Sequence, residues 1–130
     1  MSNEQSIEQE IQSKGLNAPR LTPEHIDSVI QSFHFFTAGD GYAGVLVSSE
    51  EFTSLPEGER FIINPPQQLD LLTFCVIILK NGFTVTGESA CASPDNFDAE
   101  IGKKIAYQNA REKIWMLEGY LLKQKLYETT

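Results

Sequence analysis

The sequence predicts an α+β fold: an antiparallel β-sheet with a central hairpin, packed by a long C-terminal α-helix and a short N-terminal helix. Three observations carry this. Asn81-Gly82 stands between the apolar run Leu72–Leu79 and the β-rich run Phe83–Thr86, and Asn-Gly suits a type I′ turn, where both residues need φ > 0. A helical pattern then runs from Asp98 to about Leu126. Near the other end, Thr22-Pro23-Glu24 reads as a helix start, with a capping hydroxyl, a proline at the first position and an acid facing the helix dipole.

With 130 residues the chain forms one domain with room for a core, and 41% apolar content is ordinary for a globular protein. Residues 1–20 are polar and read as a frayed tail or a loosely docked helix; 21–130 form the domain. The opening is acidic and unlike a secretory signal, so Cys75 and Cys91 are expected as reduced thiols in a cytoplasm. No apolar run approaches the roughly 20 residues of a membrane span. The net charge of −8 disfavours nucleic acid and anionic membrane as partners. Six of the ten basic residues nevertheless fall between Lys103 and Lys125, as either a solvated helix face or a local basic site.

Taken in order, Ile26, Val29, Ile30 and Phe33 recur at helical spacing, which predicts a helix from about Pro23 to Ser32. Phe33–Thr37 reads as a strand, stopped by Ala38-Gly-Asp-Gly41. The stretch 38–69 reads as a turn-rich insertion. Within it Tyr42–Val47 is a β candidate, Ser48–Leu55 a helical turn or two, Arg60–Ile63 a short strand, and Asn64-Pro-Pro a loop. A two-residue turn at 81–82 would oppose Ile78 to Val85 and Ile77 to Thr86. That register puts Phe74, Val76, Ile78, Phe83 and Val85 on one face, and Cys75, Ile77 and Leu79 with Thr84, Thr86 and Glu88 on the other. The first strand, apolar on both faces, suits a central position covered on both sides. The hydroxylated row is either plain β-former or the lining of a polar pocket. Ser93-Pro94 and Asp98 are two possible starts for the last helix, which has two apolar stripes. Ala106, Ala110, Ile114, Leu117 and Leu121 suit the sheet. Ile101, Ile105, Trp115, Leu122 and Leu126 need another cover, and a second subunit is attractive because aromatics anchor interfaces.

No Ser/His/Asp arrangement, phosphate loop or dinucleotide glycine fingerprint is visible. His25 and His34 are not spaced as metal ligands, and neither metal nor cofactor is expected. The pattern disfavours an enzyme. A binding site is better supported. Thr86, Ser93 and Asn96 lie between a strand end and a helix start, where unpaired N–H groups suit an anion. Lys104 and Arg111 share a helix face, and Phe83 or Phe97 can stack on a base. The alternative is that Ser93 and Asn96 simply cap the helix.

Several motifs together carry a resemblance: Ala18-Pro-Arg-Leu-Thr-Pro-Glu-His-Ile-Asp27, Asn81-Gly-Phe-Thr-Val-Thr-Gly-Glu-Ser-Ala-Cys91, Ser93-Pro-Asp-Asn-Phe-Asp98, Ile101-Gly-Lys-Lys-Ile-Ala106 and Lys113-Ile-Trp-Met-Leu-Glu-Gly-Tyr-Leu-Leu122. In these the chain resembles the gene-49/gene-66 family of small tailed-phage and prophage proteins, over about 18–37 and 70–127. That family looks like the one containing the anti-Thoeris nucleotide sponges, phage proteins that sequester cyclic ADP-ribose-type signals and, in some cases, cyclic oligonucleotides. The resemblance implies a counter-defence protein that binds such a signal without hydrolysing it. It further implies dimers or dimer-based assemblies with ligand pockets at subunit contacts. The second reading is a structural or protein-interaction module acting through the C-terminal helix.

Overall fold

A computed structural model describes residues 3–130. It shows the α+β architecture in two layers: a three-stranded antiparallel sheet, order β1-β2-β3, with one long helix across one face. The polar N-terminal stretch forms a helix, α1 (Asn3–Ser13). The helix α2 (Pro23–Val29) starts as predicted, with the Thr22 hydroxyl accepting from the His25 N–H at 3.0 Å. It stops earlier than predicted. From Ile30 the chain is extended in β1 (Ile30–Thr37), where β-branched and aromatic side chains gain more from pairing with the sheet than from another helical turn.

The Tyr42–Val47 β reading is overturned: Ala38–Val47 is a helix, α3. Thr37 and Asp40 form a reciprocal capping box, with bonds of 3.0 and 2.9 Å, which fixes a helix start just where glycines suggested a stop. The expected helical turn appears as α4 (Glu50–Thr53), capped by Ser49. Arg60–Ile63 is not a strand: among the described residues no strand pairs with it to form a ladder. Instead Phe61 packs edge-on against Phe52 at 5.1 Å, and Arg60 donates to the Leu55 carbonyl. A further short helix, α5 (Gln67–Asp70), leads into β2 (Leu72–Leu79), the central strand, which pairs on its far side with β3 (Thr84–Ala90).

The hairpin exists, but its register is one residue from the two-residue-turn expectation. Ile78 pairs with Thr84, Ile77 with Val85 and Cys75 with Gly87. The Leu79 N–H donates to the Phe83 carbonyl and the Gly82 N–H to the Leu79 carbonyl, both at 2.8 Å, so the loop has three residues. Only its last, Gly82, has positive φ (+90°); Asn81 does not. This is a turn closed by a left-handed glycine, the next commonest hairpin solution. A slip of one residue exchanges the faces. Thr73, Cys75, Ile77, Leu79, Val85 and Gly87 are the buried set, while Phe74, Val76 and Ile78 share the opposite face with Thr84, Thr86 and Glu88. That opposite face is not fully covered: Phe74, Val76 and Ile78 are half-buried beside exposed His34 and Phe36.

The helix on the buried face is α6 (Ala99–Glu128). Asp98 is its cap, accepting from the N–H groups of Glu100 and Ile101, and Pro94–Asn96 forms a separate 3-10 turn. Gly102, Ala106, Ala110 and Ile114 lie one helical turn apart and are all buried. These small side chains let the α6 backbone approach Gly87 on β3 and Thr73 on β2. Ile26, Ile77, Cys75 and Ile114 fill the centre of the core. The stripe predicted to continue through Leu117 and Leu121 emerges into solvent, at 36% and 48% exposure. Length explains it: α6 with its 30 residues spans about 45 Å, whereas β2 with eight spans about 26 Å. The helix outruns the sheet. Among the described residues, no helix is long and apolar enough to cross a membrane.

Candidate functional site

Arg111 is the focus of the site. It lies on α6, one turn after Tyr107 and one before Trp115, and it is 7% exposed. A buried guanidinium is costly unless its N–H groups are met. Here they are. Nε donates to both oxygens of Glu4 at 2.9 and 2.7 Å, Nη1 approaches Asp27 Oδ1 at 2.7 Å, Nη1 donates to the Tyr107 hydroxyl at 3.2 Å, and Nη2 donates to the Pro23 carbonyl at 3.2 Å. Burial opposes its charge, but the hydrogen bonds to Glu4, Asp27 and Tyr107 outweigh it and raise its pKa above the ordinary arginine value.

These residues line a cleft of about 630 Å³ between α1, α2 and α6, with Lys104, Leu21 and Trp115 also in its wall. That volume lies within the range of small-molecule sites. The Trp115 indole N–H is buried and has no hydrogen-bond partner among the described residues. The electrostatics are two-sided. Lys104 and Arg111 supply positive charge, while Glu4, Glu8, Asp27 and Glu112 line the same space. An anion reaching the Nε edge of Arg111 must replace Glu4 there.

The structure unites two of the seven predicted ligand residues, Lys104 and Arg111, in this cleft. The others lie elsewhere. Phe83 is at the hairpin tip, 56% exposed. Thr86 is exposed on the sheet face turned away from α6. Ser93, Asn96 and Phe97 surround the 3-10 turn before α6, beyond the opposite end of β3. A seven-residue strand separates this group from Phe83, roughly 23 Å at the usual rise. One chain therefore does not gather all seven round one ligand.

Sequence reading missed Glu4, Asp27, Tyr107 and Trp115 as members of this cluster. The spacing of Tyr107, Arg111 and Trp115 is a usable signal, since residues four apart share a helix face. Nothing local could have pointed to Glu4, which is 107 positions from its partner. Cys75 and Cys91 are free thiols; burial pushes the Cys75 pKa up to about 11, and Cys91 donates to the Ser93 carbonyl. Among the described residues no cluster of three or more His, Cys, Asp or Glu is placed to hold a metal. His25 instead meets Glu118 at 2.6 Å.

The fold and cleft define a small α+β protein, a three-stranded sheet backed by one long helix and carrying a buried, carboxylate-bound arginine. It belongs to the phage protein (N4 Gp49/phage Sf6 gene 66) family, whose model matches residues 21–126. No curated protein and no solved structure matches the chain. The matched stretch runs from just before α2 to near the end of α6, the 38–69 segment lies inside its span, and α1 lies outside it.

Proposed function

We propose that this phage-family protein binds and sequesters a cyclic nucleotide signal, of the cyclic ADP-ribose or cyclic oligonucleotide kind, in the host cytoplasm and returns it unchanged. One observation carries the reading: a nearly buried arginine, held in place by Asp27 and the Pro23 carbonyl, faces a ligand-sized cleft that also presents Lys104 and two aromatic side chains. Guanidinium and ammonium groups recognise phosphate. Family membership adds the phage context. Phe83, Thr86, Ser93, Asn96 and Phe97 enter this reading from a second copy, because none of them lines the Arg111 cleft within one chain.

The test is calorimetry with cyclic ADP-ribose isomers and cyclic di- and trinucleotides. Lys104→Ala is the cleaner variant, since Lys104 is exposed whereas Arg111 is buried. Loss of one charge-assisted contact worth about 1.5–3 kcal/mol weakens binding roughly ten- to a hundredfold. No heat with any of these ligands, or undiminished binding by Lys104→Ala and Arg111→Lys together, ends the proposal.

A second reading has its own support. Beyond the sheet, α6 exposes Met116, Tyr120, Leu121 and Tyr127, which suits a helix that docks on a protein. In that case substitutions at these positions abolish partner binding, and cleft variants do not.

A further inference from the structure

The helix α1 closes the Arg111 cleft with little apolar adhesion. None of its residues is buried, and Ile7 is 49% exposed. The bidentate pair of Glu8 with Arg20, at 2.6 and 2.8 Å, ties α1 to the segment that follows it rather than to the sheet or α6. Across to α6 runs the Glu4 carboxylate, both of whose oxygens accept from Arg111 Nε. That is the contact a phosphate oxygen makes with a guanidinium. Of the remaining partners of Arg111, Asp27 and the Pro23 carbonyl belong to α2, and the Tyr107 hydroxyl belongs to α6 itself. They keep the guanidinium in place whether or not Glu4 is there. α1 is also outside the residues that match the family, so the matched fold does not include it.

We infer that α1 is an acidic latch, in which Glu4 occupies the anion position at Arg111 and a phosphate-type oxyanion displaces it. This rests on the anion-site reading above and adds its regulation. Binding and latching are reciprocal: an anion that needs the Nε edge releases α1, and docked α1 lowers the apparent affinity for that anion. Release also withdraws the negative charges of Glu4 and Glu8 from beside Lys104, so the open cleft is more positive than the closed one. It also changes the surroundings of Trp115, the single tryptophan of the chain, which lines the same cleft.

The experiment compares wild type with Glu4→Gln and Glu4→Ala, using inorganic pyrophosphate as probe at constant ionic strength, since added salt alone weakens ion pairs. Amide exchange across 3–13 and Trp115 emission report the latch, and calorimetry reports pyrophosphate binding. A detached helix this short frays, so its amides exchange near the free-chain rate. Both variants are expected to free α1 without ligand, and pyrophosphate is expected to free it in wild type. If α1 is docked about nine-tenths of the time, removing Glu4 tightens pyrophosphate binding about tenfold. Unchanged exchange over 3–13 in both variants overturns the latch, whatever binds. Equal pyrophosphate affinity in all three proteins overturns it while leaving the anion site standing. Binding to none of them overturns the latch and the anion site together.

Discussion

Gly87→Ala should be the most damaging single-methyl change in this protein. A Cβ built at Gly87 lies 2.2 Å from the Ala106 carbonyl oxygen, 2.3 Å from the Ala110 nitrogen and 2.9 Å from the Asn109 carbonyl carbon. Ordinary carbon contacts sit at about 3.5–4.0 Å, so α6 must move more than an ångström away from β3. All three atoms are helix backbone, and no side chain can swing aside to make room. Overpacking costs typically 1–3 kcal/mol, and backbone against backbone belongs at the upper end, about 3 kcal/mol. For a domain of this size each kcal/mol shifts Tm by about 4 °C, which gives a fall of roughly 12 °C. Gly102→Ala is the internal contrast. Its Cβ meets the Thr73 hydroxyl oxygen at 3.1 Å and the Thr73 Cβ at 3.7 Å, and alanine regains up to about 1 kcal/mol of helix propensity there. Its Tm should stay within a few degrees of wild type. Thermal unfolding followed by circular dichroism decides the matter. If Gly87→Ala melts with wild type, the close approach of α6 to β3 is not what holds the two layers together.

Other outcomes follow from the same structure. Gly44 sits inside α3 with nothing within 4 Å of an added Cβ, so Gly44→Ala should stabilise by about 0.5–1 kcal/mol in urea titrations. Hydrogen bonds from Arg20 and Gln12 hold the Glu8 carboxyl at about 2, well below its usual 4.5. Its stabilising pair is therefore intact above about 4.5 and lost as pH falls through 2. An NMR titration should place the Glu8 midpoint near the lower value in wild type and near the ordinary one in Arg20→Ala; equal midpoints would contradict the pairing. Self-association is expected through the part of α6 that outruns the sheet, with Tyr120 at 71% and Leu121 at 48% exposure, whereas Trp115, Leu122 and Leu126 are half-buried. Light scattering should show a smaller species for Tyr120→Ser/Leu121→Ser, and a monomeric wild type at micromolar concentration rules the idea out. With its pKa raised to about 11, Cys75 should alkylate far more slowly than Cys91 in the native state; equal rates would mean that the core opens easily.

What the sequence by itself determined is local. The Thr22 cap, the Asp98 cap, the existence of a hairpin at Asn81-Gly82 and the long helix all depend on residues within a few positions of one another. α3 was legible in principle through Thr37 and Asp40, but an apolar run with three glycines resembles a strand as easily as a helix. The hairpin register was not legible. Asn-Gly serves a two-residue turn and a three-residue turn ending in glycine about equally well, and only the packing of Cys75, Ile77, Leu79 and Val85 beneath α6 selects between them. The candidate site divides in the same way. Lys104 and Arg111 on one helix face follow from the helical period alone. That Arg111 is buried and already paired followed from nothing near it, because its partners Glu4 and Asp27 come from α1 and α2. A charged side chain on a helix is normally solvated, and it becomes the centre of a cleft only when other elements close over it and supply the opposite charge.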